Sequence, residues 1–259
     1  MRRMKWFIML PFLLAILAGC QAVENEEGFF YSTFVRPMDL TLDFLGNELF
    51  NGSYGLAIIA ITLMIRLVLL PFMLRTYKSQ SMMKVKMDTV RPMMMDIQER
   101  MKNAETQEEK LAIQNEMMTL YREHNINPLN MGCLPMLIQM PIVMGLYFAI
   151  LYSEDVKTHP FLWFDLGTPD LLMTAIAGIV YFIQAKVSMW TIAESQQAQM
   201  KWMMYFSPIM IVIISFSSMA ALPLYWSVGG LFLIIQTIIG RKYFTYKPEE
   251  VKQEKEEIK

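Results

Sequence analysis

The sequence predicts an all-α polytopic membrane protein with five transmembrane helices and a cytoplasmic antiparallel helical hairpin. Of its 259 residues, 54% are hydrophobic and only 18% are charged. Several apolar runs approach the roughly 20 residues that a helix needs to cross the hydrocarbon core. The Lys and Arg residues between these runs are distributed very unevenly. Together these observations indicate a membrane protein rather than a soluble domain.

Five predicted spans follow from the apolar runs. They cover residues 54–77, 131–152, 171–190, 202–222 and 224–243. Pro223 predicts a very short turn between the last two spans. A charged segment, 78–130, separates the first two spans, and the charged tail from 244 to 259 has the composition of a disordered segment.

The basic residues predict the orientation of the spans. If the segment 20–53 is outside, the exterior contains only Arg36 and Lys157. The cytoplasmic segments before the last span then contain eleven Lys and Arg residues, and six more follow from Arg241 onward. Cytoplasmic loops carry an excess of Lys and Arg. We therefore expect the N-terminus outside and the C-terminus in the cytoplasm.

The N-terminus has the pattern of a secretory signal over residues 1–19. A basic start is followed by a short apolar run and then by Leu17-Ala18-Gly19-Cys20. This ending resembles the bacterial lipobox, in which cleavage precedes a cysteine that is then lipidated. A lipidated Cys20, carrying for example palmitate, would anchor the mature chain to the outer leaflet of a bacterial plasma membrane. The alternative is an ordinary first transmembrane helix that happens to contain a cysteine.

The charged segment 78–130 predicts two paired helices. One apolar stripe with helical spacing consists of Met83, Met87, Val90, Met94, Ile97 and Met101. Pro92 should kink this first helix or weaken its hydrogen bonds. Thr106 and Glu109 form a capping-box pattern that opens a second helix, which should end before Asn127.

The hairpin is unusually rich in methionine, and this allows two interpretations of its apolar side chains. On the second helix, Ile113, Met117 and Leu120 share a face, and under the first interpretation the stripes simply hold the two helices together. A flexible thioether surface can also adapt to varied apolar partners. Under that second interpretation, a substrate contacts part of this surface, with Met83, Met87, Met94 and Met117 as the candidate residues.

Arg66 is the most informative residue, because it lies in the middle of the first apolar run. A guanidinium at the bilayer centre costs about 2.5–3.5 kcal/mol on insertion scales. No Asp or Glu lies within the five predicted spans, which disfavours a buried ion pair. We therefore expect Arg66 to face a hydrated functional site.

Other polar side chains of the spans should also face inward, some only as contacts between helices: Thr62, Gln139, Gln184, Ser207, Ser215, Ser218 and Trp226.

Several classes of function lack their sequence signals. The two cysteines, Cys20 and Cys133, and the two histidines form no metal-ligand pattern. We interpret Cys133 as a small packing residue. No phosphate-binding loop or dinucleotide fingerprint is present, so we expect no cofactor and no enzyme activity. Sequence-specific nucleic-acid binding is not expected either.

Four motifs, in order, give the chain a family resemblance. They are the run from Tyr54 through Arg66 to Pro71, the run from Asn127 to Ile142, Phe161-Leu162-Trp163-Phe164-Asp165-Leu166, and Leu222-Pro223-Leu224-Tyr225-Trp226. Together they resemble the conserved spans of the YidC/Oxa membrane-insertase family over about residues 54–240. With its lipobox and short exterior segment, the chain resembles the five-span type of Gram-positive bacteria.

The resemblance implies a function and a set of residues for it. Arg66 would be the groove arginine, and Gln184 and Trp226 would line the same hydrophilic groove, which would be open to the cytosol and to lipid. The 78–130 hairpin would receive substrates. Nascent membrane proteins would be the clients, with the Sec translocon and the ribosome as further partners. The tail is short and charge-balanced, unlike the long basic tails with which some relatives bind the ribosome.

Other classes of function explain part of the same pattern. A small-solute or anion transporter or channel would use Arg66 as an anion site, but it usually contains an inverted repeat, and we find none among these unequal spans. An intramembrane enzyme would need a Ser/Lys or Asp/Asp arrangement within the spans, which this sequence lacks.

Overall fold

The computed structural model describes residue 25 and residues 27–126, 133–192 and 194–245, and these parts of the chain are almost entirely helical. Helix α1, residues 28–49, alternates α-helical with π-helical segments. The sequence predicts only a polar exterior segment here. Each π-turn shifts the helical register, so the apolar residues do not follow a 3.6-residue period. Val35, Leu42 and Leu45 are nevertheless buried on one side of this helix.

Helix α2 is a single 36-residue helix, Tyr54–Thr89. At 1.5 Å per residue it is about 54 Å long, well beyond the hydrocarbon thickness. The predicted end of the first span at residue 77 is therefore not the end of a helix. Helix α2 ends before Val90, which caps the next helix. Pro92 lies in the first turn of this helix α3, Arg91–Asn103. Pro92 thus disturbs the helix as predicted, but it separates two helices instead of kinking one.

The remaining elements follow in short succession. The 153–170 loop contains a short helix and a two-stranded antiparallel hairpin in which Pro160 pairs with Asp165 and Phe161 with Phe164. The elements are α4 (Gln107–Glu123), α5 (Cys133–Tyr152), α6 (Glu154–Thr158), β1 (Pro160–Phe161), β2 (Phe164–Asp165), α7 (Leu171–Ser188) with a 3₁₀ turn (Met189–Thr191), α8 (Glu194–Ser215) and α9 (Ala221–Phe244).

The boundary between the last two helices differs from the prediction. Helix α8 begins eight residues before the predicted span and ends at Ser215, while residues 216–220 form the turn. Pro223 is not the turn but lies in the first turn of α9. Proline fits there because the first amide groups of a helix have no partner within the helix. The expectation that Pro223 marks the turn was therefore wrong.

Length and hydropathy support a membrane protein. Within the described ranges, three helices are long and apolar enough to cross a bilayer: Tyr54–Thr89, Leu171–Thr191 and Ala221–Phe244. Two shorter apolar helices, Gln139–Tyr152 and Met200–Ser215, coincide with parts of the second and fourth predicted spans. The molecule is thus an all-α membrane protein.

The chain divides into two compact units, each with its own core. The first unit comprises the described parts of Met1–Ile65, Leu137–Ala177 and Ile213–Val228. Its core contains apolar side chains from α2, α5, the 160–166 hairpin and the start of α9, among them Ile58, Ile61, Leu146, Ile150, Leu166 and Leu222. The second unit comprises the described parts of Arg66–Met136, Gly178–Val212 and Gly229–Lys259.

The core of the helical hairpin confirms the predicted apolar stripe except at its last residue, Met101, which is half-buried. Met83, Met87, Val90, Met94 and Ile97 are buried together with Leu120, and Ile113 and Met117 pack against them. The predicted capping box is also present, since Thr106 accepts a hydrogen bond from the Glu109 amide and Glu109 accepts one from the Thr106 amide. Helix α4 ends at Glu123, before Asn127, as predicted.

Gly167 is expected to be intolerant of any side chain. A β-carbon at this position would lie 2.1 Å from the carbonyl oxygen of Lys157, so backbone would have to move. Overpacking of this kind costs about 1–3 kcal/mol or more. We expect Gly167→Ala to lower the unfolding temperature of the detergent-solubilised protein clearly. Thr168→Ala, at an adjacent exposed residue, is the control, and equal unfolding temperatures for the two variants would contradict the expectation.

Candidate functional site

Arg66 lies on α2 and is half-buried. Its guanidinium lies beside Gly229 of α9, since a β-carbon at position 229 would be 3.3 Å from Arg66 Nη2 and 4.0 Å from Cζ. A glycine at this point leaves the guanidinium room that any other residue would occupy. Arg66, the residue singled out by its place in an apolar run, therefore lies against another helix that can span a membrane and retains some exposure.

Tyr181 brings helix α7 to the same site. Its ring carbons would lie 3.4–3.6 Å from a β-carbon at Gly230, the residue after the Gly229 that contacts Arg66. Val180 would come still closer to such a β-carbon, at 2.7 Å. The consecutive glycines of α9 thus allow close contact with α2 through Gly229 and with α7 through Gly230, as small residues do in membrane helix packing.

Further polar groups of the second unit lie on these helices. Gln184, half-buried, follows Tyr181 by three residues and so faces the same side of α7. Its Nε2 donates to Ser188 Oγ at 3.0 Å. On α9, Gln236 and Thr237 are buried, and Thr237 Oγ1 is 2.5 Å from the Tyr77 hydroxyl of α2. A polar side-chain contact between Tyr77 and Thr237 therefore joins α2 and α9.

The other predicted groove residues belong to the first unit. Thr62 is buried and donates to the Ile58 carbonyl of its own helix at 2.6 Å, so its hydroxyl is satisfied locally. Ser215 is fully buried, and among the described residues its hydroxyl has no hydrogen-bond partner. Gln139 is half-buried, and half-buried Trp226 packs against the apolar core of this unit. A buried unpaired hydroxyl is costly unless a water or ligand satisfies it.

The expectation that Ser207 faces inward was wrong. Ser207 is exposed, and Ser218 lies in the turn after α8. Eight residues advance a helix by about 800°, so Ser207 lies roughly 80° around α8 from Ser215. An eight-residue spacing is thus a weak indication of a shared face.

The hairpin separates its methionines into two groups. Met83, Met87 and Met94 are buried and Met117 is half-buried, so these candidate substrate contacts lie in the hairpin core. Met93, Met95 and Met118 are the exposed ones. A cavity of 630 Å³ opens between α3 and α4, with Met93, Asp96, Glu116 and Glu123 among its lining residues.

Exposed charged side chains form ion pairs within and between the two helices of the hairpin. Arg100 forms a two-bond contact with Glu116 of the opposite helix, at 2.9 and 2.6 Å, and also binds Asp96. Arg100 holds the pKa of Glu116 below its ordinary value. The backbone amides of Thr106 and Glu105 lower the pKa of Glu109 in the same way. These depressed pKa values mean that folding favours the ionised carboxylates.

The capping box gives a pH-dependent prediction for the hairpin. Because the pKa of Glu109 is lower in the folded hairpin, its contribution is complete above the ordinary glutamate value and is lost as pH falls through the folded value. We expect Glu109→Ala to speed hydrogen exchange in the first turn of α4 at neutral pH. Acidification should bring the wild type to the rate of the variant. Glu108→Ala, the neighbouring exposed residue, should change little, and identical exchange in all three proteins would contradict the prediction.

Some predicted features lie outside the described residues. They include Cys20, the 1–19 signal, the residues 127–130 and most of the tail. Within the described ranges, no cluster of three His, Cys, Asp or Glu residues could hold a metal ion.

Tyr181 is the residue that sequence reasoning missed. Its position three residues before Gln184, on the same helix face, was the available signal.

The fold and site define a class: an all-helical, multi-pass membrane protein with an arginine between its spanning helices. Residues 45–248 match the family model described as 60Kd inner membrane protein. The chain is 51% identical over 251 residues to proteins named "Membrane protein insertase YidC" from Staphylococcus aureus strains JH9, Newman and MW2. Each alignment covers 93% of this chain and 87% of the relative. The chain therefore belongs to the 60Kd inner membrane protein family, the YidC/Oxa family, which confirms the predicted resemblance.

Proposed function

We propose that this protein is a membrane protein insertase and chaperone of the plasma membrane, which inserts and helps to fold integral membrane proteins. The names of its relatives support this function, and the position of Arg66 supplies a physical basis for it. Arg66 is half-buried beside Gly229, whose neighbour Gly230 packs against Tyr181, and it lies on a helix apolar enough to span the bilayer. A transporter is not favoured, because relatives aligned over 93% of the chain are named insertases.

The proposed site is a hydrophilic groove, open to the cytosol and to lipid, with Arg66 and Gln184 of the second unit as its polar residues. Thr62, Gln139, Ser215 and Trp226 remain candidates on the strength of the sequence. A guanidinium stays charged at any physiological pH, so it retains water and attracts anions. The buried hydroxyl of Ser215 and the amide of Gln184 are further groups that water or a polar client segment can bind. Water in this groove would keep a polar segment hydrated part of the way across the membrane.

The proposed mechanism moves the polar tail of a client outward and its apolar helix sideways. Arg66 attracts acidic residues on the tail, which reach about half the bilayer depth without leaving water. An inside-negative potential then favours outward movement of each anion by roughly 2.3 kcal/mol per 100 mV. Burial in lipid stabilises the apolar helix once it leaves the groove. No nucleotide is required at any step.

The surfaces of α7 and α9 suit this sideways movement. Both helices expose apolar side chains, Ile179, Phe182 and Ile183 on α7 and Leu231, Ile235 and Ile238 on α9. Such residues are stable against lipid or against an apolar client helix. An incoming helix can therefore lie between protein and lipid with little change in its apolar environment.

The hairpin is proposed as the first contact for clients. Exposed Met93, Met95 and Met118 offer adaptable apolar contacts, whereas Met83, Met87, Met94 and Met117 would contribute by supporting this surface or after the hairpin opens. Asp96, Glu116 and Glu123 line the cavity between α3 and α4 and would attract basic residues that flank a client helix.

The remaining assignments follow from the sequence pattern. Signal cleavage before Cys20 and its lipidation would anchor the N-terminus outside, with the hairpin and the C-terminal tail in the cytoplasm. Clients would arrive from the ribosome directly or through the Sec translocon. No cofactor and no catalytic step are part of this proposal.

Reconstitution tests the proposed function. The purified full chain is placed in proteoliposomes without nucleotide, and a single-span client with an acidic N-terminal tail is added during translation. We expect protease-protected client in these vesicles and not in protein-free vesicles. A parallel flux assay with small anions should show no transport. Anion flux without client insertion would support the transporter alternative and reject the insertase.

A further inference from the structure

A second cationic site lies at the C-terminal ends of α7 and α9, beside the last part of α2. A cavity of 160 Å³ has among its lining residues Lys84 of α2, Trp190 and Thr191 of the 3₁₀ turn after α7, and Arg241 and Phe244 of α9. None of the described residues that line it is acidic. This cavity is formed by residues that the insertase mechanism does not use.

Trp190 holds both cations of the cavity. Lys84 Nζ donates to the Trp190 carbonyl at 2.9 Å, and the Arg241 guanidinium stacks on the indole at 4.8 Å from the ring centroid. An ammonium has three donors, of which this bond uses one. A guanidinium stacked on a ring keeps its N–H donors available at its edge. Two positive charges with remaining donors therefore meet in one cavity.

We propose that this cavity binds the phosphate of an anionic phospholipid headgroup. The shared chemistry would also suit a free phosphate, but two observations favour a lipid. The cavity lies where α7 and α9 end, about 30 Å along each helix and so at the depth of headgroups, and half-exposed Trp190 and Phe244 offer apolar surface beside the cations. Basic pockets between membrane helices bind anionic headgroups in this way. On the orientation proposed above, the lipid belongs to the cytoplasmic leaflet.

The test is lipid binding by the intact protein, which does not depend on insertion activity. The full chain in detergent is titrated with phosphatidylglycerol or phosphatidylcholine, and bound lipid is counted by native mass spectrometry. We expect tight binding of phosphatidylglycerol only. The pair Lys84→Gln with Arg241→Gln should weaken it roughly 30-fold. The pair Lys78→Gln with Lys242→Gln removes the same charge from neighbouring exposed positions outside the cavity lining and should leave binding unchanged.

A further variant and two competing ligands distinguish a lipid site from a phosphate or RNA site. Thr191→Glu keeps both cations but places a carboxylate in the cavity, so it should also expel phosphatidylglycerol, and it provides a second variant if the double substitution does not fold. Inorganic phosphate at the same concentration should not displace the lipid. Equal lipid binding in the cavity variants and the control pair, or displacement by inorganic phosphate, would overturn the lipid site. If RNA displaced the lipid and bound more tightly, the site would be assigned to RNA instead.

Discussion

Replacing Arg66 with Ala should abolish the insertion of single-span clients that have acidic tails. The substitution removes the only fixed charge proposed to attract the tail into the groove. Losing only about 1.4 kcal/mol of this attraction slows a step about tenfold, so we expect at least that decrease in protected client at early times. The measurement is protease protection of the client in proteoliposomes that contain equal amounts of each variant.

Two matched variants separate the effect of the positive charge at position 66 from the effect of any substitution in this helix. Arg66→Lys keeps a cation at the same place and should retain most of the insertion. Arg75→Ala removes an arginine from an exposed position of the same helix and should insert normally. Normal insertion by the Arg66→Ala protein, with Arg75→Ala as its equal, would reject the tail-attraction mechanism for these clients.

Gly229→Val should have the second-largest effect on insertion, because the valine side chain on α9 would press against Arg66 on α2. A β-carbon at position 229 already lies 3.3 Å from Nη2, and the two methyl groups of valine would occupy the space of the guanidinium. Overpacking costs typically 1–3 kcal/mol. If that cost displaces Arg66 from the groove, insertion of acidic-tailed clients should fall by about tenfold.

A graded series makes the Gly229 prediction specific. Gly229→Ala adds one carbon that a small movement of the arginine can accommodate, so it should lie between the wild type and Gly229→Val. Leu231→Val changes an exposed apolar residue of the same helix and should insert like the wild type. The account is contradicted if Gly229→Val is present at normal levels and inserts at the normal rate.

The sequence predicted the parts of the molecule that depend on local patterns. The hairpin stripe and the Thr106–Glu109 capping box are set by spacing along one helix, and both are present. The apolar runs likewise predicted helices, although not where each one ends. A helix can continue past the membrane without any change of pattern, as α2 does to Thr89.

Other features depend on packing that the pattern does not contain. The π-turns of residues 28–49 shift the register of the apolar residues, so that helix has no regular period. Pro223 suits both a turn and a first helical turn, and only the three-dimensional structure distinguishes them. At the site, Arg66 was identifiable because a lone cation in an apolar run is expensive. Tyr181 was missed because a tyrosine in a membrane helix is unremarkable by itself, and only its position three residues before Gln184 indicated it.

Site-specific crosslinking tests the central claim most directly. A photoreactive amino acid replaces Tyr181, which packs at Gly230 next to the Gly229 that contacts Arg66, or Ile179, which is exposed on the same helix. Each protein is then irradiated during insertion of a client whose acidic tail is labelled. We expect crosslinks from the tail to position 181 and none to position 179. Tail crosslinks at position 179 alone, or equally at both positions, would contradict a polar path beside Arg66.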